Sequence, residues 1–445
     1  MDLVNARISE LLRAGPRSSL ELGQALSLSA STIQRAMRAL ERDGLVARFG
    51  KTRGVQYAWL RNVASIGSNW PIYRIDETGR VQELGKLEAI ERDGYHVRSA
   101  PAGRVQQLFE GIPYFLQDAR PGGFLGRAVP AAYPELGLPA RVIDWTDDHF
   151  LIYLTRRATD TPGSLVVGVE SMDRHLSGAH SSPIVSVHAR GAEYPRYAAA
   201  AMTGAPPCSS VQGEHPKFTV WVGDGERRRA AIVKFSPPLS TAIGRRWGDL
   251  LTAEHLAHRL LNENGIAACQ SEILEYGERI FLQSERFDRV GSVGRRSVVS
   301  LYAVDAWRYG QLDSWAASAA RLKTDGLLSP QDAEQILLLD TFGALTANTD
   351  RHFGNITLFD DYEGALRLAP VYDMLPMLFA PQNDQIVPRQ FEPGPIRAAW
   401  LPVWERARSL AEAYWDRLSG DKQLSGEFRT LCVQSLEALR ALPQR

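Results

Sequence analysis

The stretch from Ser329 to Asp373 constrains this chain more than any other. Ser329, Pro330 and Asp332 form a capped helix start, and the apolar run Ile336–Leu345 continues as the helix body. The helix stops at a polar loop, Asn348-Thr-Asp350-Arg-His352-Phe-Gly-Asn355. The segments ITLFD and ALRLA then read as two strands around a turn at Glu363–Gly364, and they lead directly to Asp373. A buried helix, a polar loop, a hairpin and a carboxylate in that order belong to a mixed helix-and-strand core. Composition agrees. The 445 residues are 44% apolar and 23% charged, which excludes a disordered or fibrous chain and predicts two to four domains. No apolar run approaches the roughly 18–20 residues that span a bilayer, and MDLVNARISELLR lacks a secretory apolar segment. Cys208, Cys269 and Cys432 are too scattered for a disulfide framework or a zinc knuckle. A reduced, cytoplasmic protein without a membrane partner is the expectation.

The polar loop has the spacing of phosphoryl-transfer chemistry. Asp350 and Asn355 stand as D-x-x-x-x-N, in which the Asp orients or deprotonates the attacking hydroxyl and the Asn carries a metal ion. Asp373, after the hairpin, stands where a second carboxylate completes the metal set. Hard oxygen donors of this kind suit Mg²⁺. The bland alternative is a loop whose Asp and Asn cap local turns. About 115 residues upstream, two apolar strands, FTVWV and AAIVKF, flank a polar turn around Gly223–Gly225. Lys234 lies inside the second. A lysine in an apolar strand must snorkel out or meet an anion, and a nucleotide phosphate is one such anion.

Residues 1–61 carry ten Arg/Lys against five Asp/Glu, a net of +5 in a chain whose total is zero. Three helices are predicted, around Leu3–Leu12, around LELGQALS (capped by Ser18 or Ser19), and over STIQRAMRALERDG (capped by Ser29 or Ser31). Two short strands follow, around Val46 and over Val55–Trp59, joined by the basic turn Gly50–Gly54. This order resembles a winged helix-turn-helix. The resemblance implies double-stranded DNA as a partner, with Ser31, Thr32, Gln34, Arg35 and Arg38 facing the major groove and Lys51 and Arg53 on the wing. A winged helix used for protein contacts is the alternative.

Residues 66–200 show no chemistry. YRIDETGRVQELGKL reads as a hairpin, and IPYFLQDARPGGFLG as a loop punctuated by Pro and Gly. Asp144, Asp147, Asp148 and His149 read better as the acidic start of a helix than as a metal cluster. His175, His180 and His188 lack ligand spacing and read as loop or surface residues.

With SSVQGEHPKF, AAIVKFSP, ERFDR, NTDRHFGN and LAPVYDML in order, the chain resembles the HipA family of serine/threonine kinases, toxins of bacterial toxin–antitoxin systems. Weaker similarity runs through FLQDARPGGFLGR. The added winged helix looks like the HipH (YjjJ-type) branch. The resemblance implies an α+β chain. It would have a winged helix-turn-helix over 1–61, a HipA-like N-terminal subdomain over 66–200, a nucleotide-binding lobe over 201–300 and a mostly helical C-lobe over 301–445, in a bilobal kinase-like fold. It further implies ATP and Mg²⁺ as cofactors. Lys234 would hold the phosphates, with Lys217 and Ser210 in the loop that covers them and Glu285 and Phe287 at the hinge beside the adenine. Asp350 would be the base, with His352 lining the phosphate site, and Asn355 and Asp373 would bind the metal. Ser210 or its neighbour Ser209 would be autophosphorylated. A protein serine or threonine would accept the phosphate, with an aminoacyl-tRNA synthetase or another translation factor as candidate targets, and a homodimer would suit palindromic DNA. Two departures stand out. The covering loop reads GEHPK where better-known members carry Ala-Gln-Glu types, and SVVSLYAVDAW lacks the glutamine expected near the ribose. Two rival readings are a DNA-binding regulator with a ligand-sensing pseudokinase and a small-molecule kinase. The first has no need of Lys234, Asp350, Asn355 and Asp373 together.

Overall fold

The structure, a computed structural model, describes residues 3–50, 54–99, 107–178, 182–204, 213–223, 228–361 and 364–443. Lys51, Arg53, His180, Ser209 and Ser210 lie outside the described residues.

The N-terminal segment forms α1 (Leu3–Arg13), β1 (Arg17–Ser18), α2 (Ser19–Leu26), α3 (Ala30–Arg42), β2 (Val46–Phe49) and β3 (Gln56–Trp59). Ser18 caps α2 in a reciprocal box with Glu21, and Ser29 caps α3 through the Thr32 amide. Each helix contributes one apolar stripe: Ile8 and Leu12, Leu22 and Leu26, then Ile33, Met37 and Leu40. These stripes close against Val46, Tyr57 and Trp59 of the hairpin. The sheet has an extra strand that the sequence pattern hides, β1, paired on β3.

The next unit is a five-stranded antiparallel sheet. Its order is β7-β6-β5-β4-β8, from β4 (Asn69–Ile75), β5 (Val81–Ile90), β6 (Gly94–Ser99), β7 (Gln107–Glu110) and β8 (Leu165–Val167). Before β8 come three one-turn helices, α4 (Tyr114–Gln117), α5 (Gly123–Gly126) and α6 (Val129–Ala132), where the sequence predicted a loop. Pro and Gly recur between and within these turns, at Pro113, Pro121, Gly122, Gly126 and Pro134, so no helical period develops. α7 (Asp147–Arg156) fills the inner face with Phe150, Leu151 and Leu154, and α8 (Val169–Leu176) follows β8. The acidic start of α7 is capped by Thr146. Its carboxylates are spent on cations, Asp147 on Arg120 and Asp148 on Arg61, while Asp144 pairs with Arg141. His175 corrects the surface assignment, because it lies on α8, half-buried, and accepts from the Arg295 guanidinium at 3.2 Å.

The winged helix rests on this sheet. Leu60 bridges to Ile90, Phe49 packs 5.3 Å from the buried His96 ring, and Arg13 pairs with Glu91.

The second half begins with β9 (Ile184–Val185) and α9 (Arg190–Met202). β10 (Lys217–Val222), β11 (Arg229–Phe235), α10 (Ala242–Glu263), β12 (Ser271–Tyr276) and β13 (Arg279–Glu285) complete a lobe whose sheet order is β12-β13-β11-β10-β9. A connector with two short strands, β14 (Arg289–Val290) and β15 (Gly294–Arg295), leads to the helical lobe. That lobe holds β16 (Val298–Ser300), α11 (Leu301–Arg308), α12 (Trp315–Thr324), α13 (Pro330–Leu345), β17 (Thr357–Asp360), β18 (Leu366–Leu368), α14 (Trp404–Gly420) and α15 (Gly426–Arg440). Trp400, Trp404 and Trp415 are buried in its core, as packing residues. The apolar face of α10 belongs to that core as well, so one helix is shared between the lobes.

The connector is pinned to the middle unit by ions. Asp160 accepts from Arg286 and Arg289, and Asp288 accepts from both as well. Burial alone would raise the Asp160 carboxyl. Arg286 and Arg289 outweigh it and hold the group at about 2, with Asp288 lower still. Both folded values lie below the unfolded one near 3.9. Their stabilisation is therefore complete above about pH 5 and is lost as the pH falls, for Asp160 toward 2 and for Asp288 at still lower pH. Thermal melts between pH 5 and 2 should show a loss of about 2 kcal/mol for Asp160 over that window, and Asp160→Asn should flatten it. An unchanged acid profile in the variant would contradict this assignment.

Candidate active site

Lys234 lies in β11, opposite Lys217 of β10 in the strand register. Its ammonium meets Glu254 of α10, at 2.8 Å from both carboxylate oxygens, and Asp373. One cation between two carboxylates explains the titration. Burial works against the Lys234 charge, yet Asp373 and Glu254 hold its value above the ordinary one. Burial pushes Glu254 up to about 7, Lys234 opposing and Asp373 adding. Asp373 is pulled well below the carboxylate range by Lys234 and Lys217, despite its burial. Lys217 is itself buried, which brings its ammonium down to about 8. His215, from the divergent GEHPK segment, contacts the Phe235 carbonyl at 3.1 Å and packs 4.5 Å from Trp247. Burial and the two lysines keep it neutral.

The polar loop after α13 is held by its own side chains. Asn348 is fully buried. Its oxygen accepts the Asp350 amide at 3.0 Å, and its nitrogen donates to the Asp373 carbonyl at 3.3 Å. Asn355 donates to the Asp350 carbonyl at 2.8 Å. Arg351 turns away to Asp340 of α13, and the Trp315 indole donates to the His352 carbonyl. Asp350 and His352 stay exposed, and the His352 ring accepts from the Gly354 amide. Partial burial raises the Asp350 carboxyl, with His352 opposing and Asp373 adding. Asp373 holds a left-handed backbone, φ 55°, which non-glycine residues adopt at a cost and which is common where a side chain must be aimed.

Asp373 and the Asn355 amide oxygen are hard oxygen donors, which fits a divalent cation. Among the described residues no three His, Cys, Asp or Glu side chains form a ligand cluster. A metal here would therefore take Asp373 and the Asn355 amide oxygen together with a substrate's phosphate oxygens, the incomplete protein shell that Mg²⁺ favours.

On the hinge side, the Glu285 carboxylate pairs with Arg229. The Phe287 ring packs edge-on against Phe359 and 6.0 Å from Tyr372, the neighbour of Asp373. At the other end of the molecule, Ser31, Gln34, Arg35 and Arg38 are exposed on one side of α3, with Thr32 half-buried beside its cap.

The structure thus brings Lys217, Lys234, Asp350, His352, Asn355 and Asp373 together, with Phe287 beside Tyr372, while the Glu285 side chain lies on the sheet face away from Lys234. Glu254 and the role of Asn348 were not apparent in the sequence pattern. Glu254 had a signal, a lone acid inside the apolar stretch of α10, 20 residues after Lys234. A buried strand lysine calls for such a partner.

Comparison with known proteins adds a second line. Residues 8–47 match the winged helix-turn-helix DNA-binding family model, 66–176 the middle domain of YjjJ-like toxins, and 209–419 the HipA-like C-terminal domain. Toxin YjjJ of Escherichia coli (strain K12) is 33% identical over 447 residues, 99% of this chain and 98% of that one. A HipA from Shewanella oneidensis MR-1, solved with HipB and its operator DNA, aligns with a TM-score of 0.53 at 16% identity. The alignment covers 84% of this chain and 96% of that one, a likeness of fold. Among the described residues no helix is long and apolar enough to cross a membrane. Domain order, full-length identity and fold agree, and the chain belongs to the YjjJ-type family of HipA-like toxins.

Proposed function

We propose that the chain is a toxin kinase that transfers the γ-phosphate of ATP to a protein serine or threonine, and to a serine of its own covering loop, Ser209 or Ser210. The observation that carries this is the Lys234–Glu254 ion pair closed on Asp373, with Asp350 and Asn355 on the adjoining loop. In protein kinases a strand lysine paired to a helix glutamate, together with a metal-binding Asp, marks the assembled state.

Mg²⁺ bound at Asn355 and Asp373 would neutralise phosphate charge. Lys234 and Lys217 supply fixed positive charge for the remaining phosphate oxygens. Asp350, raised from its ordinary value by partial burial, accepts the proton of the attacking hydroxyl from the exposed side of the loop. Asn348 fixes that loop to the Asp373 backbone, so base and metal site keep one geometry. Glu285 and Phe287 border the adenine. Domain limits of 1–61, 66–200, 201–300 and 301–445 serve this reading, except that β9 and α9 pack with the nucleotide-binding lobe and β16 with the helical lobe. Aminoacyl-tRNA synthetases and other translation factors remain the candidate targets, acting in the cytoplasm, with a homodimer on palindromic operator DNA. Incubation with labelled ATP, Mg²⁺ and a bacterial lysate tests transfer: label on the chain or on a lysate protein that is lost with Asp350→Asn supports it, and no label with nucleotide still bound contradicts it.

The fused winged helix would bind the chain's own promoter and restrain the kinase in cis. α3 presents Arg35 and Arg38 for phosphate or base contacts. Each change to alanine should weaken operator binding by about 10-fold. Binding with no preference for the upstream region would remove autoregulation. Toxicity unaltered by deletion of residues 1–61 would remove the restraint.

A further inference from the structure

The connector between the lobes is gripped from outside both of them. Along residues 285–288 the side chains alternate. Glu285 pairs with Arg229 on the sheet face away from Lys234 and Phe287 packs toward Tyr372, while Arg286 and Asp288 face the middle unit. Arg286 donates to both oxygens of Asp160, at 3.0 and 2.9 Å. Arg289 donates to Asp160 and to the Thr161 and Gly163 carbonyls. The Gly163 amide donates back to Asp288 at 2.9 Å, and Arg295 donates to the Thr159 carbonyl. Arg286 and Arg289 are 3% and 4% exposed, and Asp160 is 17% exposed. Such forks leave a planar guanidinium little freedom to rotate. The segment cannot slide or roll without breaking buried, charge-assisted bonds, and Phe287 rides on it against Tyr372.

We infer that Asp160, on the loop after α7, is a positioning residue for nucleotide: through Arg286 and Arg289 it sets the backbone of the Glu285–Phe287 hinge. The middle unit then completes the nucleotide site without touching the nucleotide. This rests on the kinase reading above. It assigns the middle unit a task that the chemistry of its own residues does not suggest.

The test uses the full chain with Mg²⁺ and a fluorescent ATP analogue, followed by steady-state transfer. Asp160→Asn keeps shape and removes charge. It should weaken nucleotide binding by about 10-fold or more and raise KM for ATP, with kcat within about threefold, because Asp350 and Lys234 are untouched. Asp160→Glu should recover much of the loss. Asp305→Asn is the control for general destabilisation, since Asp305 of α11 is buried and pairs with Arg321 of α12, away from the connector. Binding unchanged in Asp160→Asn, or weakened as much by Asp305→Asn, overturns the inference. If Asp160→Asn does not fold, Arg289→Lys replaces it. That variant keeps the charge but loses the fork, and affinity should fall by about threefold or more, while an unchanged affinity overturns the inference. A wild-type chain that binds no adenine nucleotide would instead overturn the kinase reading, and this inference with it.

Discussion

Asp350→Asn is expected to lower phosphate transfer by about 10³-fold while nucleotide affinity stays within about threefold. The substitution is nearly isosteric. The Asp350 amide still donates to Asn348, and its carbonyl still accepts from Asn355, so the loop and the metal site keep their geometry. Only the acceptor of the substrate proton is lost. A fall in kcat without a matching change in nucleotide binding identifies that role. An equal loss of binding would mean that Asp350 holds the loop rather than the proton.

Lys234→Met has two consequences. The first is functional: loss of the phosphate-holding charge should reduce kcat/KM for ATP by about 10²–10³-fold. The second is structural. Glu254 is buried and Asp373 lies against it, so removing the cation leaves two carboxylates facing each other. Breaking a buried pair costs about 3–5 kcal/mol, and protonation of Glu254 should bring the loss here to about 2–3 kcal/mol. Lys234→Met with Glu254→Gln should regain part of that stability and none of the transfer, because the two single changes remove the same interaction. Thermal melts and kinetics on the three variants separate the effects. Additive stability losses would mean that Lys234 and Glu254 do not act as a pair.

The winged helix, the strand pairs β10–β11 and β17–β18, and the loop between α13 and β17 were legible because each is local. Cap residues, alternation and turn residues lie within a few positions of one another. Asp350, Asn355 and Asp373 could be nominated from their spacing and from the helix and hairpin around them. Glu254 could not be assigned, since its partner comes from another element and the ion pair exists only after α10 crosses the sheet. The hinge shows the limit most clearly. The ERFDR segment pointed to Glu285 and Phe287, but Arg286 between them serves Asp160, 126 positions away. Periodicity cannot reveal a partner at that distance. The short helices over 114–132 were hidden for the opposite reason, since each is too brief to build an apolar stripe.

The central claim is that the assembled Lys234–Glu254–Asp373 cleft transfers phosphate. Its most direct test is incubation of the full chain with γ-labelled ATP and Mg²⁺, alone and with a bacterial lysate. The account predicts label on the chain itself or on a lysate protein, dependent on Mg²⁺ and absent with Asp350→Asn. Absence of label in every lane, with adenine nucleotide still bound by the wild type, would contradict it and make the cleft a ligand-sensing site attached to a DNA-binding domain.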